Sequence, residues 1–119
     1  MTIIDGIAER IGAIRYEGLP VEAVRWAKAA ILDTVGVTLA GAGEPCARIA
    51  AGVLGLGKSS GECLIFGSDN RAAPLDAALV NGTAAHALDF DDVSNSLGGH
   101  PSAPILPALF ALGEVLDCT

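Results

Sequence analysis

The residues best suited to chemistry are concentrated in one short part of the chain. Both histidines lie there with three carboxylates, in the segments His86–Asp92 and Gly98–Ser102. An imidazole has an ordinary pKa of about 6.5, so it can give or accept a proton near neutral pH. A neighbouring carboxylate can orient the ring or take the proton itself. The pattern therefore predicts either a proton-transfer site or a metal site.

A dinuclear metal site is the alternative that the spacing leaves open. Its candidate ligands are His86, Asp89, Asp92 and His100. His86 and Asp89 share a helix face if the preceding helix extends that far. No H-x-x-x-H or C-x-x-C spacing accompanies them, and the calcium-loop pattern that Asp89-x-Asp91 begins fails at its later positions. The spacing therefore favours a site without a metal ion.

A phosphate-binding motif is also present, at Gly52–Ser59. The segment matches G-x-x-x-x-G-K-[ST], which binds phosphate when a strand precedes it and a helix follows it. Here the preceding residues have a helical pattern and Glu62–Phe66 has a strand pattern, so the order is reversed. We interpret the segment as the end of a helix followed by a turn.

The elements that must position the histidines and aspartates are predicted to be helices. Apolar residues recur at helical spacing, with prolines at several helix starts and glycines at several helix ends. The predicted helices cover residues 2–15, 20–41, 44–54, 73–88 and 102–116, with a loop over 89–100. Pro107 is expected to delay or kink the last helix. At most one short strand, near 62–66, is predicted, so the fold class is mainly α.

Composition and charge exclude several kinds of partner. The formal net charge is −7, and no Lys or Arg follows Arg71. Nucleic acids and anionic membranes both need clustered cations, so neither is an expected partner. No apolar run approaches the roughly 18 to 20 residues of a membrane span. The three cysteines are widely spaced, which favours reduced thiols and a cytoplasmic location.

Three segments resemble the MmgE/PrpD family, which includes 2-methylcitrate dehydratases and cis-aconitate decarboxylases. They are Ala30–Gly41, Asn81–Asp92 and Gly99–Ala108, and their order and spacing together are specific. The resemblance implies that residues 1–119 are the opening helices of an all-α domain. The rest of that domain and a smaller α+β domain are expected outside this chain. Family members are usually cofactor-free homodimers that act on small di- or tricarboxylic acids.

The resemblance also implies residue roles. Asp89 and His100 match family positions at the active site, so they are the predicted catalytic residues. Four further residues are predicted to bind substrate: His86, Asp92, Gly99 and Ser102. The expected reaction is dehydration of the 2-methylcitrate type, by proton abstraction and elimination. A decarboxylase or epimerase of a related acid is the alternative within the family, and a non-catalytic helical association module is the alternative outside it.

Two observations qualify this expectation. Many relatives have Thr-His directly after the Asp-Asp pair, where this chain has Val93 and Ser94, which leaves the exact substrate open. A polyanionic acid also needs cations, and residues 72–119 contain none. The family's lysines and a further histidine belong to segments outside this chain, so we expect the chain to be part of a longer protein.

Overall fold

The fold was analysed in a computed structural model that describes residues 2–55 and 61–118. Its helices are α1 (Ile3–Gly12), α2 (Val21–Gly41), α3 (Pro45–Val53), α4 (Pro74–Ala85) and α5 (Ser102–Val115), and its strands are β1 (Cys63–Leu64) and β2 (Arg71–Ala72). A single 3-10 turn, Tyr16–Gly18, separates α1 from α2. The prediction of a mainly α fold is confirmed.

The small sheet differs from the prediction in one respect. The strand expected near 62–66 is present as β1, but it pairs in antiparallel register with β2, which the sequence did not predict. Cys63 lies opposite Ala72, and Leu64 lies opposite Arg71. Each strand has only two residues, too few for an alternating hydropathy pattern to be recognised. The turn between them places Gly67 at a φ of 76°, a conformation that favours glycine.

The helices on either side of the histidine-bearing loop begin and end close to the predicted positions. Helix α4 ends at Ala85, three residues earlier than predicted. Helix α5 begins at Ser102 with Pro107 inside it, so the predicted delay at Pro107 is wrong. Pro107 has no N–H to donate to the carbonyl of Ala103, and its ring is buried in the packing of the helix.

The core lies where α4 packs against α5 and the small sheet. It is built from small and aliphatic side chains: Cys63, Ile65, Ala72, Ala77, Val80 and Ala111. Helix α2 also crosses α4, and Gly41 allows close approach there. A Cβ atom at Gly41 would lie 2.1 Å from the carbonyl oxygen of Ala84. The position of α4, and with it the loop that follows, therefore depends on a glycine.

A buried amide attaches the sheet to α4. The Asn81 side chain accepts a hydrogen bond from the backbone N–H of Phe66 at 3.0 Å and donates one to the carbonyl of Leu64 at 2.9 Å. These two bonds satisfy backbone groups that a two-residue strand leaves unpaired. Arg71 and Glu114 join the sheet to α5 by an ion pair of 3.3 Å. Both helices that flank the loop are thus held by polar contacts as well as by the core.

The reversed order of elements around the phosphate-loop motif is confirmed. Helix α3 precedes the motif and β1 follows it, the opposite of the strand–loop–helix order that phosphate binding requires. Gly57, Lys58 and Ser59 themselves lie outside the described residues. Within residues 2–55 and 61–118, none of the helices has the length and apolar character needed to cross a membrane.

Candidate active site

The loop between α4 and α5 brings four titratable side chains together. His86 caps the end of α4, Asp89 and Asp91 follow in the loop, and His100 lies just before α5. One nitrogen or oxygen atom from each of the four can be chosen so that all lie within 4.8 Å of one another. Two helices that pack against each other therefore place both histidines of the chain at one point.

Asp91 occupies the centre of this cluster and is only 3% exposed. Its Oδ1 atom accepts a hydrogen bond from Nδ1 of His86 at 2.9 Å. Its Oδ2 atom lies 3.2 Å from Nδ1 of His100. That second pair is within ion-pair distance, but the atoms are not aligned for a hydrogen bond, so both remain buried without one. The Asp91 carboxylate thus faces both imidazoles, and in each ring the nitrogen that faces it is Nδ1.

Asp89 approaches His100 from the solvent side. Its Oδ1 atom lies 3.5 Å from Nε2 of His100, and its side chain is 78% exposed. The backbone of Asp89 has a φ of 54°, in the left-handed region that aspartate tolerates better than most residues. This conformation follows a turn in which the Asp89 N–H donates to the carbonyl of His86 at 3.3 Å. The chain therefore reverses direction just after α4, and the reversal directs Asp89 towards His100.

The two imidazole rings contact each other edge to face. Their centroids are 4.6 Å apart, with an angle of 68° between the ring planes. The hydrogen bond that His86 donates to Asp91 is the main cause that raises the pKa of His86 above its usual value, and the charges of Asp91 and then Asp89 act in the same direction. Partial burial of the ring opposes this rise. The local electrostatics therefore favour a positive charge on His86.

The other three predicted site residues lie outside this cluster of four. Asp92 accepts hydrogen bonds from the backbone N–H and the hydroxyl of Ser102, which begins α5. Gly99 pairs through its backbone with Ser94 and closes the loop. The structure thus brings His86, Asp89 and His100 together, and it uses Asp92, Gly99 and Ser102 to shape the loop that carries them. Their predicted substrate contacts stay predictions.

Asp91 is the residue of this cluster to which the sequence assigned no role. Hydropathy gave no signal for it, because the apolar neighbour Phe90 is 72% exposed while the charged Asp91 is buried. The dinuclear metal interpretation includes Asp92, which bonds to Ser102 and is outside the group of four side chains that could share one ion. The groups close enough to share an ion are His86, Asp89, Asp91 and His100.

An apolar groove opens beside the histidines. It has a volume of about 570 Å³ and lies between α4 and α5. Small residues from the two helices line it with the imidazoles at one end: Ala78, Gly82, His86, His100, Ala103 and Ala108 among them. This volume lies within the range of small-molecule sites, roughly 300–1,000 Å³. A small organic molecule in the groove would lie next to both histidines.

Comparison with known proteins agrees with the resemblance seen in the sequence. A 116-residue match to the cis-aconitate decarboxylase of Homo sapiens is 34% identical and covers 97% of this chain and 24% of that protein. The corresponding enzyme of Mus musculus is 33% identical over the same shares. The cis-aconitate decarboxylase-like protein oryM of Aspergillus oryzae is 32% identical over 86% of this chain and 21% of that protein.

This chain therefore spans only about a fifth to a quarter of the length of the curated relatives that it matches. The family model for the MmgE/PrpD N-terminal domain matches residues 5–119, which include both helices of the groove and the whole histidine-bearing loop. On this extent of agreement, the chain belongs to the MmgE/PrpD family.

Proposed function

We propose that this domain supplies proton-transfer groups to a lyase that acts on a small di- or tricarboxylic acid, by dehydration of the 2-methylcitrate type. The observation that carries the proposal is the position of His100, with Asp89 at one ring nitrogen and Asp91 at the other. An imidazole between two carboxylates at the end of a small groove is equipped to exchange a proton with a bound molecule. The matched relatives are named cis-aconitate decarboxylases, and cis-aconitate is an acid of this class.

Dehydration of a citrate-like acid requires two proton transfers. A base removes the proton from the carbon next to a carboxylate, and the electron pair of that C–H bond forms the C=C bond. The C–O bond on the adjacent carbon breaks, and an acid protonates the departing hydroxide to give water. A cluster with more than one titratable group can serve both steps, since its members can hold protons of different acidity. His100 and Asp89 are the proposed pair.

Decarboxylation of a related acid is the second candidate. It is favoured by the names of the matched relatives, which are cis-aconitate decarboxylases. In that reaction the C–C bond to a carboxylate breaks, CO2 leaves, and the electron pair is protonated on carbon. A single proton donor suffices, so His100 would act as the acid alone or with Asp89. Both candidate reactions thus include a proton transfer to or from a carbon atom.

The carboxylates of the substrate need positive partners. The described part of the loop presents Asp89, Asp91 and Asp92, and residues 72–119 contain no Lys or Arg. Anionic groups alone would repel a polyanion. We infer that cations from outside residues 72–119 complete the site, either from elsewhere in the same protein or from a second copy in the homodimer that the family resemblance implies.

The test uses the purified full-length protein with 2-methylcitrate, citrate and cis-aconitate as separate substrates. Dehydration is read from the ultraviolet absorbance of the new C=C bond, and decarboxylation from released CO2. The variant His100→Gln should lower kcat by about 10²- to 10⁴-fold, the usual contribution of general acid–base catalysis. The matched control Asp69→Asn changes one exposed carboxylate in the turn before β2 and should retain full activity.

Three outcomes would count against the proposal. Full activity in His100→Gln would remove His100 from the reaction. Release of CO2 without dehydration would select the decarboxylase instead. Turnover of none of the three acids would favour the non-catalytic association module, and sedimentation of the protein would then show whether it forms the expected homodimer.

A further inference from the structure

We propose that Asp91 is the positioning residue of this site, a single buried carboxylate that holds both imidazoles with Nδ1 towards it and leaves both Nε2 atoms for chemistry. Only the catalytic consequence of this inference rests on the proposed function. The orientation of the two rings can be tested without any substrate.

The argument begins with the environment of the Asp91 carboxylate. A buried carboxylate is costly unless hydrogen bonds or charges compensate for the lost water. Among the described residues around the loop, the side-chain nitrogens within ion-pair distance of it belong to His86 and His100, at 2.9 and 3.2 Å. Arg71, the last cation in the sequence, is paired with Glu114. The two imidazoles are therefore the groups that compensate this buried charge.

The chemistry of these contacts fixes the tautomers. An ionised carboxylate only accepts hydrogen bonds, so an imidazole nitrogen held against the buried Asp91 carboxylate must carry a proton. Nδ1 is the facing nitrogen in both rings. A neutral ring of this kind has its lone pair on Nε2, which makes Nε2 the basic atom. In His100, Nε2 lies 3.5 Å from Oδ1 of Asp89, whose side chain is largely exposed.

The contact between Asp91 and His100 could become a hydrogen bond. Oδ2 of Asp91 and Nδ1 of His100 are buried and close, yet they lack a hydrogen bond in this conformation. A small rotation of the His100 ring would align them. The aligned hydrogen bond would be strongest when His100 is positively charged, because hydrogen bonds that involve ionised groups are about twice as strong as neutral ones. Asp91 is thus placed to stabilise the imidazolium that forms when His100 takes a proton.

One carboxylate serves both rings, whose centroids are 4.6 Å apart. The other charged groups of the described residues near the pair make different contacts. Asp89 faces His100, Asp92 is bonded to Ser102 at the start of α5, and Glu114 lies at the far end of α5, where it pairs with Arg71. Asp91 is therefore the dominant partner of both rings.

The decisive experiment is NMR of the full-length protein with ¹⁵N-labelled histidine. Imidazole ¹⁵N shifts distinguish the two neutral tautomers, and comparison with His86→Gln and His100→Gln assigns the signals. The wild type should show the Nδ1–H tautomer for both residues. Dominance of the Nε2–H tautomer in either ring would overturn the inference, and it would do so whether or not the protein turns over any substrate.

A variant then tests the catalytic consequence. Asp91→Asn should lower the pKa of His86, reduce the Nδ1–H population of both rings, and decrease kcat by about 10- to 100-fold with little change in KM, the effect expected when the hydrogen-bond partner of a functional imidazole is lost. The control Asp69→Asn removes the same charge from an exposed turn and should alter neither the tautomers nor kcat. If Asp91→Asn is folded and keeps the wild-type kcat and tautomers, Asp91 is not a positioning residue.

Discussion

Asp92 and Ser102 are joined by two hydrogen bonds across the loop that carries the histidines. The backbone N–H of Ser102 donates to Oδ1 at 3.1 Å, and its hydroxyl donates to Oδ2 at 2.6 Å. Ser102 is the first residue of α5, and the preceding Pro101 provides no side-chain cap. A carboxylate ten positions earlier in the chain therefore caps this helix. Its negative charge also interacts favourably with the helix dipole.

Loss of this cap should be visible as lost stability. We expect Asp92→Ala to lower the free energy of unfolding by about 1–2 kcal/mol, the usual cost of removing a helix cap. Asp92→Asn keeps one acceptor oxygen and should cost less. Urea denaturation followed by circular dichroism measures both. Equal unfolding midpoints for Asp92→Ala and the wild type would show that the two bonds contribute nothing to the stability of α5.

The raised pKa of His86 gives a second prediction, about pH. Because the hydrogen bond to Asp91 raises this pKa in the folded state, the folded protein binds the proton more tightly than the unfolded chain. The resulting stabilisation is complete below the unfolded pKa of about 6.5, and it is lost as the pH rises through the folded pKa. The wild type should therefore lose stability relative to His86→Gln as the pH increases across this interval.

Urea midpoints of both proteins, measured at several pH values between about 5 and 8, supply the comparison. The difference between them should be largest at the acidic end. A difference that stays constant with pH, or grows towards the alkaline end, would mean that His86 gains no proton affinity on folding.

Sequence patterns predicted the helices and three members of the cluster, because these features depend on residues that are close together in the chain. Apolar periodicity is a local property, and His86, Asp89 and His100 stand beside the predicted helix ends. Burial of Asp91 depends on how α4 and α5 pack against each other, which is a non-local property. The composition gives no hint of it, since Phe90 and Asp91 reverse the usual exposure of apolar and charged residues.

The pairing of β1 with β2 was missed for a related reason. Strand β2 contains Arg71 and Ala72, and neither residue favours a strand by itself. Its position is determined by contacts with distant parts of the chain, including the Arg71–Glu114 ion pair with α5. Prediction succeeded where local propensity decided the structure, and it failed where tertiary contacts overrode that propensity.

A third prediction concerns the crossing of α2 and α4. Gly41→Ala should destabilise the protein by about 1–3 kcal/mol, because the new methyl group would overlap the carbonyl oxygen of Ala84 and force the helices apart. Gly36→Ala in the same helix is the matched control, since a Cβ there meets nothing within 4 Å. Replacing that glycine should instead stabilise the helix by about 0.5–1 kcal/mol. Thermal or urea unfolding would show opposite signs for the two variants, and equal shifts would contradict the close approach.

The fourth prediction tests whether the His–Asp cluster is held together by hydrogen bonds from protonated imidazole nitrogens or by a metal ion. Two of the three close contacts join Nδ1 of an imidazole to an oxygen of Asp91, at 2.9 and 3.2 Å, so that donors already face an acceptor. Zinc would instead require lone pairs from these atoms at about 2.0–2.2 Å, with the Nδ1 proton of His86 removed from Asp91. We therefore expect EDTA to leave both lyase activity and the imidazole ¹⁵N spectrum unchanged. Activity lost to the chelator and restored by Zn²⁺ would establish the metal interpretation in place of the proton-transfer one.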